Sequence, residues 1–179
     1  WEIEDEAARK NDYVYDQIVS VGEMLSTKIV SAYLNENGTK NTWLDVRNVI
    51  QTDNTYRNAK VDWEKTEKLA QSLISNQQSL IITQGFIGSS SELFTTTLGR
   101  EGSDFSAGIL AYCLNAESVT IWKDVPGMLN ADPKWFDATE KLNNISYHEA
   151  VELAYYGASV IHPKTIKPLH NKNIPLYVK

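Results

Sequence analysis

Between a β-prone run and an apolar helical run, the segment LFTTTLGREGSDFSAGIL (93–110) gathers Gly99, Arg100, Glu101, Gly102, Ser103 and Asp104. Glycines there let a backbone approach an anion closely, and the first N–H groups of the following helix add positive potential. Arg100 supplies a planar fork suited to a carboxylate or a phosphate. Asp104 is out of place in a loop that only binds anions. It fits better beside an ammonium group, from a lysine or a substrate, or as part of a metal site; a simple helix cap suits the spacing equally well. Glu23, next to Gly22 and Ser26 in SVGEMLSTKIV, is a second carboxylate able to pair with an ammonium group. A solvated glutamate on a helix face is the commoner occurrence of such a residue.

Three further segments carry polar groups after apolar runs. TQGFIGSSSELFTTT (83–97) has Gln84-Gly85-Phe86 and Gly88-Ser89-Ser90-Ser91, small and hydroxylated enough for a mobile cover over a phosphate. A β-hairpin with a polar tip explains the same composition more simply. In IWKDVPGMLNADPKWF (121–136), Pro126-Gly127 suits a type II turn and Asp132-Pro133 begins another. Such a loop could hold a nucleotide base on its backbone and a phosphate on Lys134, with Lys123 and Asp124 leaving the strand together. A decorated surface loop is the plainer alternative. GASVIHPKTIKPL (157–169) places His162 before Pro163, a proline suited to a helix start and a histidine weakly placed for catalysis. With three histidines, one cysteine and no HExxH or Cys/His spacing, a dedicated zinc site is not expected.

These segments need elements to hold them. Val14, Ile18, Val21, Leu25, Ile29 and Ala32 recur at helical spacing over 14–36, with Gly38 as a stop. TWLDVRNVI (42–50), SLIIT (79–83), SVTIW (118–122) and NIPLYV (173–178) read as strands. Helices are expected over 62–77, with Asp62 as N-cap, over 103–115, and over YHEAVELAYY, which a Ser146–Glu149 capping box opens and Gly157 closes. Cys113 is expected on the buried face of its helix. Alternation of this kind predicts an α/β fold with a mainly parallel sheet between helix layers, and ligands beyond the carboxyl ends of its strands.

The 179 residues suit one domain, and 42% apolar residues can fill its core. Seventeen basic against 23 acidic side chains, a net charge of −6 and no basic run argue against nucleic acid as a partner. No apolar stretch approaches the roughly 20 residues that cross a bilayer. The acidic start WEIEDEAARK lacks the pattern of a signal peptide. One cysteine excludes an internal disulfide. The expectation is a cytoplasmic globular chain without a membrane partner.

Taken in order, SVGEMLS, WLDVRNVIQTD, ITQGFIGS, TTTLGREGSD, WKDVPGMLNADP and ELAYYGASVIHPKTIKP resemble the catalytic domain of the aspartokinases, within the amino-acid kinase family. The resemblance implies a three-layer αβα sandwich with a mainly parallel sheet. It implies transfer of the γ-phosphoryl group of ATP to the side-chain carboxylate of L-aspartate, a step toward lysine, threonine and methionine. Glu23 would then pair with the substrate's α-ammonium group and Arg100 with its α-carboxylate. Ser103 and Asp104 would lie where substrate meets phosphate. Lys123, Asp124 and Leu129 would border the nucleotide, Lys134 its phosphates, and Ser159 and Val160 its base. Leu129, Lys134 and Ser159 stand where many members carry tyrosine, arginine and lysine. ATP would arrive with Mg2+, without a dedicated protein metal site, and the parent enzyme is expected to be a homo-oligomer.

Members begin with a Lys-Phe-Gly-Gly-Thr segment that cradles the ATP phosphates, and they continue into regulatory domains. Neither is found in this sequence. Residues 1–179 are therefore expected to be part of a catalytic domain, inactive alone and exposing an apolar seam. The rival readings are a non-catalytic binding or assembly module of the same fold, and another amino-acid kinase. WLDVRNVIQTD and ASVIHP point away from glutamate and acetylglutamate kinases.

Overall fold

A computed structural model describes residues 2–74, 80–125, 127–131, 135–155 and 160–179, with side chains from residue 10 onward. The chain forms two compact units, Trp1–Ser106 and Ala107–Lys179.

The first unit opens with α1 (Glu2–Glu36), which starts well before the expected residue 14. The acidic, alanine-containing start is rich in strong helix formers, and it extends the helix toward the N-terminus. Gly38, at φ +84°, follows its end as expected. Then come β1 (Asn41–Leu44), α2 (Trp63–Leu73), β2 (Leu80–Thr83), the hairpin β3 (Ile87–Ser89) and β4 (Thr95–Thr97), and the start of α3 (Gly102–Leu114). β1 and β2 pair in parallel, from Asn41 opposite Leu80 to Leu44 opposite Thr83. β3 and β4 pair antiparallel. Val46, Val49, Ile50, Ile87 and Leu98 are fully buried in this unit.

One expectation fails here. The strand expected over 42–50 stops at Leu44, and Val46–Asn48 is a 3-10 turn. Asp45 causes the break: its carboxylate accepts from the backbone N–H of Arg47 at 3.0 Å and from its guanidinium at 2.6 Å, closing a tight loop. The apolar stripe of α1 does not face the sheet. Ile18 and Ile29 are each 66% exposed, whereas Asp16 is 0% exposed, and Ser20 and Ser31 are buried. Polar bonds hold the inner face instead, among them Gln17 Nε2 to the Thr95 carbonyl (2.7 Å) and Ser31 to Asn41 Oδ1 (2.6 Å). Exposed apolar side chains thus line α1, and others, such as Leu93 and Trp122, stand elsewhere.

The second unit holds the rest of α3, then β5 (Val119–Ile121), α4 (Tyr147–Tyr155), α5 (Pro163–Asn171) and β6 (Leu176–Val178). β5 and β6 are parallel neighbours. Ala111, Val119, Ile121, Ile161, Ile166 and Leu169 form its core. The capping box is present: Glu149 Oε2 accepts from the Ser146 N–H at 2.7 Å, and the Glu149 N–H donates to Ser146 Oγ at 3.2 Å. Asp62 caps α2 through the Lys65 N–H, and Cys113 is buried, both as expected. Gly157 lies outside the described residues. Among the described residues no helix is long and apolar enough to cross a membrane.

Candidate active site

In the first unit the carboxyl ends of β1 and β2 lead directly into Asp45 and Gln84. Gly85 follows, and a Cβ built there would stand 2.9 Å from Ser103 Cα. The Phe86 N–H donates to Ser106 Oγ at 2.9 Å, and that hydroxyl donates to the Gly102 carbonyl at 2.8 Å. The turn after β2 is thereby seated on the first turn of α3. Gly85 and Gly102 permit the approach, and Gly99 permits another, to the 57–58 segment. Gly102 would bring a Cβ to 2.7 Å from the Phe86 ring. Gly99, at φ +77°, would bring one to 2.7 Å from Asn58 Oδ1.

Arg100 is exposed on the turn before α3, without a hydrogen bond or ion pair to another described residue. Ser103 is exposed and Asp104 half-buried in the helix's first turn. Asp104 is therefore not at the N-cap position, which falls to Glu101 (φ +52°), the residue just before the helix. A carboxylate within the first turn still gains from the helix dipole, and orphan N–H groups face the same end.

Glu23 sits midway along α1, half-buried, and no described side chain or N–H reaches its carboxylate. Burial raises its pKa above the usual glutamate range. Gly22 beside it is an ordinary helical residue with open space where a Cβ would be, so it does not open the backbone. The TQGFIGSSSELFTTT segment folds as the hairpin of the simpler alternative. Its Ser89 and Ser90 are buried and only its tip, with Leu93, protrudes. Gln84 is 1% exposed. Gln84 and Thr27, which bond to each other at 2.9 Å, are contacts that composition did not single out as structural. The spacing of Thr27 four residues after Glu23 was the available signal.

In the second unit Lys123 follows β5, and its Nζ donates to the Val160 carbonyl at 2.7 Å. Two of the six residues assigned to the nucleotide are thus brought together. Asp124 is exposed and Leu129 half-buried, in a short antiparallel bridge to Lys141. Gly127 has φ +128°, a conformation open to glycine. Lys134 and Ser159 lie outside the described residues, as do Pro126, Asp132 and Pro133. A cavity of about 370 Å³ is lined by Asn130, Leu142, Asn144, Ile145 and Glu152, among others. Its two carboxylates, Glu149 and Glu152, make it a poor phosphate receptor. His162 is a helix cap: its Nδ1 accepts from the Lys164 N–H at 3.1 Å, with Pro163 opening α5. Among the described residues no three His, Cys, Asp or Glu side chains are grouped to hold a metal.

The sequence profile of the amino acid kinase family matches residues 2–179. The chain belongs to the amino acid kinase family. It is 42% identical over 165 residues to lysine-sensitive aspartokinase 3 of Escherichia coli, covering 91% of this chain and 37% of that protein. It is 39% identical to the chloroplastic bifunctional aspartokinase/homoserine dehydrogenase of Daucus carota, over 92% of this chain and 18% of that one. Among solved structures, E. coli aspartokinase III in complex with aspartate and ADP superposes with a TM-score of 0.87 at 41% identity, over 93% of this chain and 38% of that one. The aspartate kinase of Synechocystis gives 0.73 at 30% identity, over 92% and 26%. The fold is accordingly the αβα sandwich of the amino-acid kinases, as the sequence predicted. The chain spans well under half the length of these relatives.

Proposed function

We propose that these residues supply the amino-acid site and part of the nucleotide site of an aspartate kinase whose remaining parts lie outside them. The enzyme would phosphorylate the side-chain carboxylate of L-aspartate to 4-phospho-L-aspartate, ahead of lysine, threonine and methionine. The observation that carries this reading is a pair of charges in one unit that no other described residue matches. An α-amino acid needs a carboxylate for its ammonium group and a cation for its carboxylate. The first unit offers Glu23, buried enough to have a raised pKa, and Arg100, on a glycine turn at a helix start. A partly buried carboxylate lacking a partner is costly and gains most when a cation arrives.

The chemistry asks little of acid–base groups. An aspartate side chain is already ionised at neutral pH, its pKa being about 3.9, so no general base is required. Glu23 and Arg100 would fix the backbone end of the substrate and so direct its side-chain carboxylate. Ser103 and Asp104, at the helix start, would order the groups where that carboxylate meets the phosphate. Catalysis then rests on alignment and on neutralising the phosphoryl oxygens. Magnesium carried by ATP would supply part of that neutralisation. On the nucleotide side, Lys123 ties the end of β5 to the Val160 segment, steadying two stretches assigned to ATP. Asp124, Leu129, Lys134 and Ser159 would complete that border.

Arg100→Ala in the full-length protein tests the substrate grip. Loss of a charged hydrogen bond is worth about 1.5–3 kcal/mol, so kcat/KM for aspartate should fall at least tenfold through a raised aspartate KM. Unchanged aspartate kinetics would remove Arg100 from the site.

A further inference from the structure

Gln84 belongs to no helix or strand, yet it is among the most deeply buried side chains of the first unit. Its Oε1 accepts from the Val46 N–H at 2.8 Å. Its Nε2 donates to Thr27 Oγ1 at 2.9 Å. The same hydroxyl accepts from Trp43 Nε1 at 3.1 Å and donates to the Glu23 carbonyl at 2.8 Å. Two acceptor sites and one donor are all a threonine hydroxyl has, so Thr27 is fully used. One residue beyond Gln84, the backbone of Gly85 presses on Ser103 with no room for a Cβ. Adjacent residues after β2 thus touch the turn of α1 that bears Glu23 and the start of α3 that bears Ser103 and Asp104.

We propose that Thr27 and Gln84 are positioning residues for the amino-acid substrate. Their junction with Trp43 sets the placement of the Glu23 turn against the start of α3. The inference rests on the aspartate kinase reading above, and neither residue is assigned a contact with substrate. The physical lever is local. A threonine hydroxyl bonded to the carbonyl four residues back bends a helix slightly, and here that bond is held in place by two outside donors. Glu23 is the residue whose carbonyl is held. A helix turn fixed at its backbone presents its side chain from a fixed origin, which an unpaired carboxylate awaiting a cation requires.

The test compares Thr27→Val, Thr27→Ser and Gln84→Glu in the full-length protein, measuring kcat, KM for aspartate, KM for ATP and melting temperature. Valine keeps the shape of threonine and removes the hydroxyl. Serine keeps the hydroxyl. Glutamate at 84 keeps the acceptor for Val46 and loses the donor to Thr27, which serves if Thr27→Val does not fold. Thr27→Val and Gln84→Glu should raise the aspartate KM at least fivefold and leave the ATP KM within twofold. Thr27→Ser should stay within twofold of the parent on both. An aspartate KM unchanged in folded Thr27→Val or Gln84→Glu, or an equal rise in both KM values, would overturn the positioning role. A parent that phosphorylates another amino acid but not aspartate would overturn the functional reading alone, with the positioning role then read from that substrate's KM. A parent inactive on every amino acid would overturn both.

Discussion

Burial raises the pKa of Glu23, so this carboxyl takes up a proton at a higher pH than an exposed glutamate does. Above its raised pKa the folded chain holds a charge that burial disfavours, and the cost is relieved as pH falls through that value. A bound ammonium group removes the same cost by pairing with the charge. As pH falls, Glu23 should therefore lose its grip on the substrate before aspartate's own side chain, with pKa about 3.9, is protonated. The expected result is an aspartate KM that climbs on the acid side above that value, while the ATP KM stays level. Glu23→Gln should raise the aspartate KM at neutral pH and flatten the climb. A climb that persists in Glu23→Gln would assign it to another group. Glu149 behaves in the opposite sense: its hydrogen bonds from Ser146 hold its pKa low, so its capping contribution is lost only as pH falls through that lowered value.

At the scale of elements, α1 is held to its unit by Asp16, a fully buried carboxylate. It accepts from the Thr97 N–H and hydroxyl, both at 2.8 Å, and from the Arg57 N–H at 3.0 Å. Arg57 and Asn58 also wall in Gly99, so one carboxylate braces the strand and the turn that lead to Arg100. Asp16→Ala strands the buried N–H and hydroxyl of Thr97 and the part-buried N–H of Arg57, and should cost about 2–4 kcal/mol, read as a lower denaturation midpoint. A loss under about 0.5 kcal/mol would mean that water or a neighbour replaces the carboxylate. This contact was hidden in the sequence, whereas Asp62, the Ser146–Glu149 box and the proline start of α5 were legible there. Caps involve groups within four residues, so local spacing reveals them. Asp16 and Thr97 are 81 residues apart, and nothing local marks either. The same distinction explains the stripe of α1. Periodicity located a helix with two unlike faces, but which face meets the sheet depends on the hydrogen-bonding groups opposite it. The strand expected through Ile50 failed because Asp45 and Arg47 lock a turn that β-propensity alone does not register. At the candidate site, residue types and glycine spacing pointed to Arg100, Ser103 and Asp104, while the bonds of Thr27 and Gln84 arise only in the folded chain.

For the whole molecule, the amino acid kinase family profile spans residues 2–179, and the curated relatives run well beyond the matched part, which is 37% of E. coli aspartokinase 3. Ile18, Val21, Leu25, Ile29 and Tyr33 leave a long apolar face on α1, broader than scattered surface side chains require. The proposed activity, aspartate-dependent phosphoryl transfer, would use Glu23 for the ammonium group and Arg100 for the carboxylate of the substrate. Preorganised donors to a transferred phosphoryl group are commonly worth about 100-fold each, and the family resemblance assigns the main one to a Lys-Phe-Gly-Gly segment. The most direct measurement is ADP release with ATP, magnesium and L-aspartate, run with hydroxylamine to trap the acyl phosphate as its hydroxamate. It is made on the full-length protein and on residues 1–179 alone. The account predicts aspartate-dependent ADP release matched by aspartyl hydroxamate in the full-length protein, little with L-glutamate, and no turnover by the 179 residues. Full-length protein that releases no ADP with aspartate, or releases it equally with glutamate, would contradict it.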